Sequence, residues 1–245
     1  MTPPERIETH RLILRRPVLE DAGPIFEGYA RDAEVTRYLT WRPHQNIEQT
    51  KEFLRRCRDF WERRDAFPWA IIRAGETRPI GMIDLRPQSS RSEIGYVLAR
   101  PFWGQGYMTE AAPALVEWAL SQRETYRVWA VCDVENANSA KVLEWVGMRR
   151  EGILRRWIIH PNIDAVPRDC YCYAMAKLSP SDKERALGWR YRRCGEAVCA
   201  DACRPMIPLR PGNRGFETSL LRSVAVFTRQ IVVVMPQNSV LPKRR

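Results

Sequence analysis

The sequence predicts an α/β (α+β) fold: a mixed, mostly antiparallel, twisted sheet with helices on both sides. Three observations predict it. From residue 69 to residue 98 three β-prone runs follow one another across short polar turns, the pattern of an antiparallel meander. The last run, which includes Glu93-Ile94-Gly95-Tyr96-Val97-Leu98, passes through a glycine-punctuated turn into a segment with Met108, Ala111, Ala112, Leu115 and Ala119 at helical spacing. A further β-rich run, Arg127 to Asp133, comes after that helix, and a strand reached through a crossover helix is expected to lie parallel to its predecessor. A chain of 245 residues with 44% hydrophobic content can bury one sizeable core, and no internal repeat is visible.

The elements can be justified in chain order. Arg11 to Arg15 alternates charged and apolar residues, with Leu12 and Leu14 on one face, and reads as a first strand. Leu19 to Tyr29 reads as a short helix, and Thr36 to His44, with Tyr38, Trp41 and Pro43, as a loop. Asn46 followed by Gln49 resembles a capping box ahead of a stripe of Phe53, Leu54, Cys57, Phe60 and Trp61, so a helix should run to about Arg64. Trp69–Arg73, Pro79–Leu85 and Arg91–Leu98 form the meander. After the turn and its helix come the strand Arg127–Asp133 and a short helix, Asn138–Val146, closed by Gly147. Arg149–Ile159 and Arg168–Lys177 complete the sheet as a hairpin with a long loop.

Beyond residue 179 the pattern changes. Pro180, Pro205, Pro208 and Pro211 interrupt Arg- and Cys-rich sequence without sustained period, so residues 1–179 are expected to form the folded domain and 180–245 a disordered or loosely packed tail. Most of the net charge of +11 sits in that tail, with 13 Lys/Arg against 5 Asp/Glu, leaving 27 against 24 before it. Such a tail can touch RNA, a ribosome or an acidic surface without sequence specificity, or can be a solvated extension; composition leaves both open. The seven cysteines read as free thiols, and Cys194, Cys199 and Cys203 are one ligand short of a zinc site, so no metal is expected. The start lacks the apolar core of a signal peptide and no run reaches membrane-spanning length, which makes a cytoplasmic protein without membrane contact the expectation.

The turn from Arg100 to Ala111 carries the clearest chemistry. The first N–H groups of a helix have no internal partner and lie at the positive end of its dipole, so a turn of this kind binds anions, and Gly104 and Gly106 let backbone and ligand approach closely. A tight turn without ligand uses the same residues. The order of the neighbouring segments adds to this signal: Glu-Ile-Gly-Tyr on a strand, Trp103-Gly104-Gln105-Gly106-Tyr107-Met108-Thr109-Glu110-Ala111 into a helix, then Glu135-Asn136-Ala137-Asn138-Ser139-Ala140-Lys141 ahead of Val146-Gly147-Met148. From about Arg6 to Lys177 the chain resembles the GNAT N-acetyltransferases, most closely the RimJ/RimL-like type that acetylates ribosomal-protein N-termini.

That resemblance implies the GNAT fold, acetyl-CoA as co-substrate, and direct acetyl transfer to an amine with no covalent enzyme intermediate. The family's phosphate motif, Gln/Arg-x-x-Gly-x-Gly/Ala, falls on Trp103, Gly104, Gln105, Gly106, Tyr107 and Met108. Trp103 and Met108 depart from it, and Met108 must turn into the helix–sheet core if phosphates are to approach. Pro113 removes an N–H from the same helix, at a cost of up to about 3 kcal/mol outside the first turns. The resemblance further implies that pantetheine pairs with Tyr96, Val97 and Leu98, that an N–H of Val97 or Leu98 holds the oxyanion, and that Thr109, Asn136, Ser139 and Lys141 belong to the cofactor site.

For catalysis, Ser139 is a candidate proton donor to the thiolate, or else simply the helix N-cap. Glu93 is the candidate base if register turns it toward the cleft, whereas Glu110 in the first helical turn reads as structural. No arrangement around His10, His44 or His160 resembles a nucleophile site. Tyr38, Trp41, Arg156 and Trp157 are candidate acceptor contacts, with Arg155 and Arg156 able to steer an acidic or polypeptide acceptor. An α-amine, with a pKa of about 7.7–8.0 against about 10.4 for lysine, fits a chain without an obvious strong base. The leading acceptor is therefore a protein N-terminus such as that of a ribosomal protein; a small-molecule amine and a non-catalytic CoA-binding or RNA-associated module are the alternatives. A monomer or homodimer is expected.

Overall fold

A computed structural model of the chain describes residues 1–178. The expectations for the tail and its three cysteines lie outside the described residues. Eight strands, β1 (Arg6–Glu8), β2 (Leu12–Arg15), β3 (Phe67–Arg73), β4 (Pro79–Gln88), β5 (Arg91–Leu98), β6 (Arg127–Asp133), β7 (Arg149–Ile158) and β8 (Arg168–Ala176), form one sheet in the order β1-β2-β3-β4-β5-β6-β8-β7. Every pairing is antiparallel except β5–β6, which is parallel as the crossover helix requires. The helices are α1 (Ala22–Ile25), α2 (Ala33–Thr36), α3 (Ile47–Arg63), α4 (Tyr107–Ser121) and α5 (Ala137–Trp145). None of the described helices is long and apolar enough to cross a membrane.

Strand alternation sends neighbouring side chains to opposite faces, and each face gathers its own core. Ile83, Leu85, Ile94, Val128 and Tyr173 pack against Leu115, Ala119 and Leu143 on the side of α4 and α5. Met82, with Val97 beside it, packs against Ile25, Tyr29, Leu54 and Cys57 on the side of α1 and α3. At the C-terminal end of α3, Trp61 stacks edge-on against Phe67 and Trp69, each at 5.1 Å between ring centroids, and its indole N–H is satisfied by the Pro68 carbonyl at 2.9 Å.

Local differences from the sequence reading have local causes. β1 is an added edge strand, three residues long, that pairs with β2. The helix expected from Leu19 is split into a tight turn over Leu19–Asp21, α1, and a wider turn over Phe26–Ala30, in a segment containing Gly23, Pro24 and Gly28. Just ahead of the expected loop, and reaching its first residue, Thr36, lies the short helix α2, capped by Asp32, whose Oδ1 accepts from the Glu34 N–H at 2.9 Å. Asn46 caps α3 as read, but the Gln49 side chain reaches back to the Gln45 N–H rather than to that of Asn46. Pro113 sits in the interior of α4, which nevertheless continues to Ser121 because its buried face, Ala111, Ala112, Leu115, Val116 and Ala119, is locked into the core.

β4 and β5 approach so closely at Gly81 that a Cβ there would overlap the Val97 carbonyl oxygen and lie 3.1 Å from the Leu98 Cα. Gly81→Ala is expected to destabilise the fold by about 1–3 kcal/mol through this overpacking, read as a lower urea midpoint. An unchanged midpoint would show that the strands can part at no cost.

Candidate active site

The two central strands come apart at one end. β5 and β6 pair only at Arg91–Arg127, Ser92–Val128 and Glu93–Trp129, although β5 stays on β4 as far as Leu98 and β6 stays on β8 as far as Asp133. Above Glu93 and Trp129 the pairing ends and a wedge opens between them. The Tyr126 N–H donates to the Ser90 carbonyl at 2.8 Å and the Ala99 N–H to the Ile80 carbonyl at 2.8 Å. Even-numbered backbone groups of β5 therefore address β6 and odd-numbered ones address β4. It follows that the N–H groups of Tyr96 and Leu98 point into the wedge, while that of Val97 is turned to β4. Of the two oxyanion candidates read from sequence, register excludes Val97.

The phosphate loop closes one end of the wedge. Gly104 and Gly106 have φ of +72° and +79°, values that side-chain-bearing residues adopt only under strain, and Gly106 is the N-cap of α4. No carbonyl or side chain among the described residues accepts from the N–H groups of Gln105, Gly106, Tyr107, Met108 or Thr109. This is a row of donors matched to a diphosphate. Met108 is buried in the core, as its size demands, so only its backbone faces the loop. The Trp103 indole N–H donates to the Leu98 carbonyl at 2.7 Å, tying the loop to the splayed strand end. Gln105 is held through its side chain, on the Pro101 carbonyl at 2.6 Å, and the Thr109 hydroxyl bonds the Gly106 carbonyl at 2.9 Å. Glu110 is structural: it accepts from the Thr9 hydroxyl at 2.6 Å and from the backbone and guanidinium of Arg11 at 2.7 and 2.6 Å. The Arg11 guanidinium also lies 4.7 Å from the centre of the Tyr107 ring.

Across the wedge stands the N-terminus of α5. Asn136, not Ser139, is its cap: the Asn136 Oδ1 accepts from the Ser139 N–H at 3.1 Å. The Ser139 hydroxyl is thereby free of capping duty. It lies 2.8 Å from the Tyr96 hydroxyl, which also reaches the Ser139 carbonyl at 3.2 Å, so the two residues bridge the arms of the wedge. Burial pushes the Tyr96 phenol well above its ordinary pKa, against a smaller opposing effect of its bond to Ser139. The nearby Cys132 thiol is pushed up to about 12, chiefly by burial, and is a protonated core residue rather than a nucleophile. Lys141 is exposed on α5 and makes no ion pair with a described residue.

Glu93 is elsewhere. It belongs to the paired, closed part of β5, five residues before Leu98, or about 16 Å along a strand. Its carboxylate is engaged 3.3 Å from Arg86, whose guanidinium also holds Asp84 at 2.6 Å. Burial raises the Glu93 pKa and Arg86 counters part of that rise. A base at the wedge is therefore not what this residue supplies; its register makes it part of a buried ion network.

Past the end of β6 the candidate acceptor contacts Tyr38, Trp41, Arg156 and Trp157 lie among groups for which the sequence suggested no role. Asp133, fully buried at the end of β6, takes Arg168 Nε at 2.6 Å and Nη2 at 3.2 Å, and Arg168 also reaches Glu135 at 2.9 Å. Burial alone would raise the Asp133 pKa, but these hydrogen bonds and the Arg168 charge outweigh it and hold the carboxyl below its usual range. His160, 3% exposed, faces Asp133 at 3.6 Å and Tyr38 edge-on at 6.2 Å; burial lowers its pKa and keeps it neutral near pH 7. Asn162 donates from one amide nitrogen to the Thr36 and Trp41 carbonyls, both at 2.7 Å, and so fastens the loop of Tyr38 and Trp41 to the β7–β8 loop. Trp41 leans on His44, 5.1 Å between ring centres, which burial lowers to a pKa of about 4. Arg156 and Trp157 lie on a bulge of β7 beside this loop. Single residues that bond to distant ones leave no periodic trace, which is why Asp133, Asn162 and Arg168 gave no signal in the sequence.

Two outcomes are expected. Gly106→Val should weaken acetyl-CoA binding at least tenfold in calorimetry, because a branched residue is strained at φ +79° and its Cβ would lie 3.3 Å from the Arg11 guanidinium. Unchanged affinity would contradict the phosphate assignment. Since the Asp133 pKa is depressed in the folded state, its contribution to stability is present above the unfolded value of about 3.9 and is lost as pH falls through the folded value. Asp133→Asn should cost about 1.5–3 kcal/mol at pH 7 and flatten the acid limb of the stability curve, measured by urea unfolding from pH 2 to 7.

Comparison with known proteins agrees with this geometry. The family model described as acetyltransferase (GNAT) domain matches residues 11–149. An uncharacterized N-acetyltransferase, YoaA of Bacillus subtilis, is 30% identical over 174 residues, 70% of this chain and 96% of its own. The crystal structure of a GNAT-family acetyltransferase from Bacillus anthracis superposes with a TM-score of 0.62 at 28% identity, over 70% of this chain and 98% of its own. RimL, titled a ribosomal L7/L12 α-N-protein acetyltransferase in complex with coenzyme A, shares the fold with a TM-score of 0.63 at 20% identity, over 70% of this chain and 98% of its own. With a splayed parallel pair, a glycine-bent phosphate loop and the matched family model in one place, the chain belongs to the GNAT acetyltransferase family.

Proposed function

We propose that this acetyltransferase moves the acetyl group of acetyl-CoA to the α-amine of a polypeptide N-terminus. The observation that carries the chemistry is the Tyr96–Ser139 hydroxyl pair, 2.8 Å apart across the wedge. Pantetheine bound along β5 would meet the free N–H groups of Tyr96 and Leu98, and the N–H of Leu98 is aimed where a thioester carbonyl gains negative charge. As the amine nitrogen bonds to the thioester carbon and the carbon–sulfur bond breaks, the Ser139 hydroxyl gives its proton to the departing thiolate and takes one from Tyr96; the proton that the nitrogen sheds on becoming an amide passes through solvent back to Tyr96, whose phenol burial keeps protonated. The diphosphate end is held by the N–H groups of residues 105–109.

The acceptor class follows from proton demand. Of the described carboxylates on β5 and β6, Asp133 at the mouth of the wedge is committed to Arg168, and Glu93 at its closed end to Arg86. A site without an available base suits an amine that is already partly neutral: near pH 7 over a tenth of an α-amine is free but under about a thousandth of a lysine amine. RimL, whose name specifies a ribosomal protein α-amine, makes ribosomal-protein N-termini the acceptors to try first.

An N-terminal peptide should be acetylated about 100-fold faster at pH 7 than the same peptide with a blocked N-terminus and a free lysine, followed by mass spectrometry. Equal rates, or acetylation of free amino acids alone, would overturn the acceptor reading. Ser139→Ala should lower kcat about 10²-fold with acetyl-CoA affinity within about twofold. A variant with normal kcat and a lower Tm would reduce Ser139 to a structural role.

A further inference from the structure

Beside the wedge, β7 carries a distortion that the acetyl-transfer reading does not use. Leu154 opposes Cys170 and Ile158 opposes Arg168, so Arg155, Arg156 and Trp157 all face the single residue Asp169. At the crest Arg156 has φ +48°, a left-handed conformation in which glycine or asparagine would be cheaper than arginine. Asp169 holds the crest: its Oδ1 accepts from the Arg156 N–H at 2.8 Å and its Oδ2 pairs with the Arg155 guanidinium. Those bonds hold the Asp169 carboxyl below its usual pKa range, so it stays charged and keeps the bulge in place.

The bulge and the β7–β8 loop enclose a cleft of about 470 Å³ that Arg155, Arg156, Arg168, Asp164 and Asp169 help to line. Four of these charges are already used. Arg155 is paired with Asp169, Arg168 with Asp133 and Glu135, and Asp164 accepts from the Val166 N–H at 3.0 Å. The Arg156 guanidinium is exposed and forms neither an ion pair nor a hydrogen bond with any described residue. A strained backbone that presents an uncommitted guanidinium, fixed from behind by a carboxylate that is itself paired with Arg155, is an arrangement able to receive an anion.

We propose that this cleft binds an acidic side chain of the acceptor polypeptide, with Arg156 as its specificity-determining residue. The position of that side chain follows from the sheet. Asp133 ends β6 at the mouth of the wedge, and β7 is two strands away across β8, about 10 Å. An extended acceptor rises about 3.3 Å per residue, so with its amine at the wedge its second to fourth side chains come within reach of Arg156. The inference rests on the N-terminal acceptor proposed above and adds sequence selectivity to it.

The test uses the full chain and two peptides that differ only in carrying Asp or Asn at positions 2 to 4. Acetylation is measured at low and moderate salt, and binding of each peptide to the protein saturated with CoA is measured by calorimetry. The acidic peptide is expected to show a KM at least tenfold lower, with similar kcat, and the advantage should shrink as salt rises. Arg156→Asn removes the charge yet tolerates the left-handed backbone; it should abolish the preference by bringing the acidic peptide's KM up to that of the neutral one, without lowering the Tm. Arg156→Lys should retain part of the preference. Equal use of both peptides by the native chain, or a loss in Arg156→Asn that falls equally on both, would overturn the proposal, as would binding of neither peptide. If acid-dependent binding survives but neither peptide is acetylated, the anion cleft stands and it is the α-amine reading that fails.

Discussion

The parallel pairing of β5 with β6 stops at Glu93 and Trp129 because above that point the two strands answer to different neighbours. β5 follows β4 through eight residue pairs and β6 follows β8 through seven, whereas only three pairs join β5 to β6. Strand twist then carries the two ladders apart. Backbone groups left facing an open wedge are costly when buried without partners, and the protein satisfies some of them from either side. The Trp103 indole takes the Leu98 carbonyl, and the Tyr96 phenol takes the Ser139 carbonyl and hydroxyl. The N–H groups of Tyr96 and Leu98 remain open, so the defect in the sheet supplies the donors on which the proposed pantetheine site rests.

Both walls of the wedge are fastened at a distance. The phosphate loop is held from below by the turn before β2, where Thr9 and Arg11 converge on Glu110. This explains how a helix with a proline in its interior keeps its first turn in register: α4 is anchored by a side-chain network at one end and a continuous apolar face along its length. The opposite wall is fastened by the Asn162 amide, which joins loops more than a hundred residues apart in sequence, and by the buried Asp133–Arg168 pair, which ties the end of β6 to the start of β8. Elsewhere, Arg86 pairs with both Asp84 and Glu93 and so joins β4 to β5.

Elements whose signal is local and periodic were legible in the sequence. β5 and β6 lie at the residues read for them, and α3 and α4 follow from their apolar stripes, because side-chain burial repeats at the period of the backbone. The phosphate loop was legible because two glycines before a helix leave little other use for φ above zero. Met108 was correctly sent to the core on size alone. What failed was anything that required knowing the partner. Glu93 was favoured for lying on the right strand, but its position on the closed side of the splay depends on where β6 leaves it. Ser139 was weighed as a cap, a role that Asn136 three residues earlier takes.

The sequence by itself determined the order of strands and helices, the anion-binding turn and the family to which they belong, since each is written in residues adjacent along the chain. Tertiary structure alone decided which N–H groups open into the wedge, that Tyr96 and Ser139 share a hydrogen bond, how Asp133, His160 and Arg168 meet, and that Asn162 joins two distant loops. The physical reason is range. Propensity, capping and periodicity act within a few residues, whereas hydrogen bonds and ion pairs between strands depend on register, which a one-residue shift would reverse and which only the packed sheet sets.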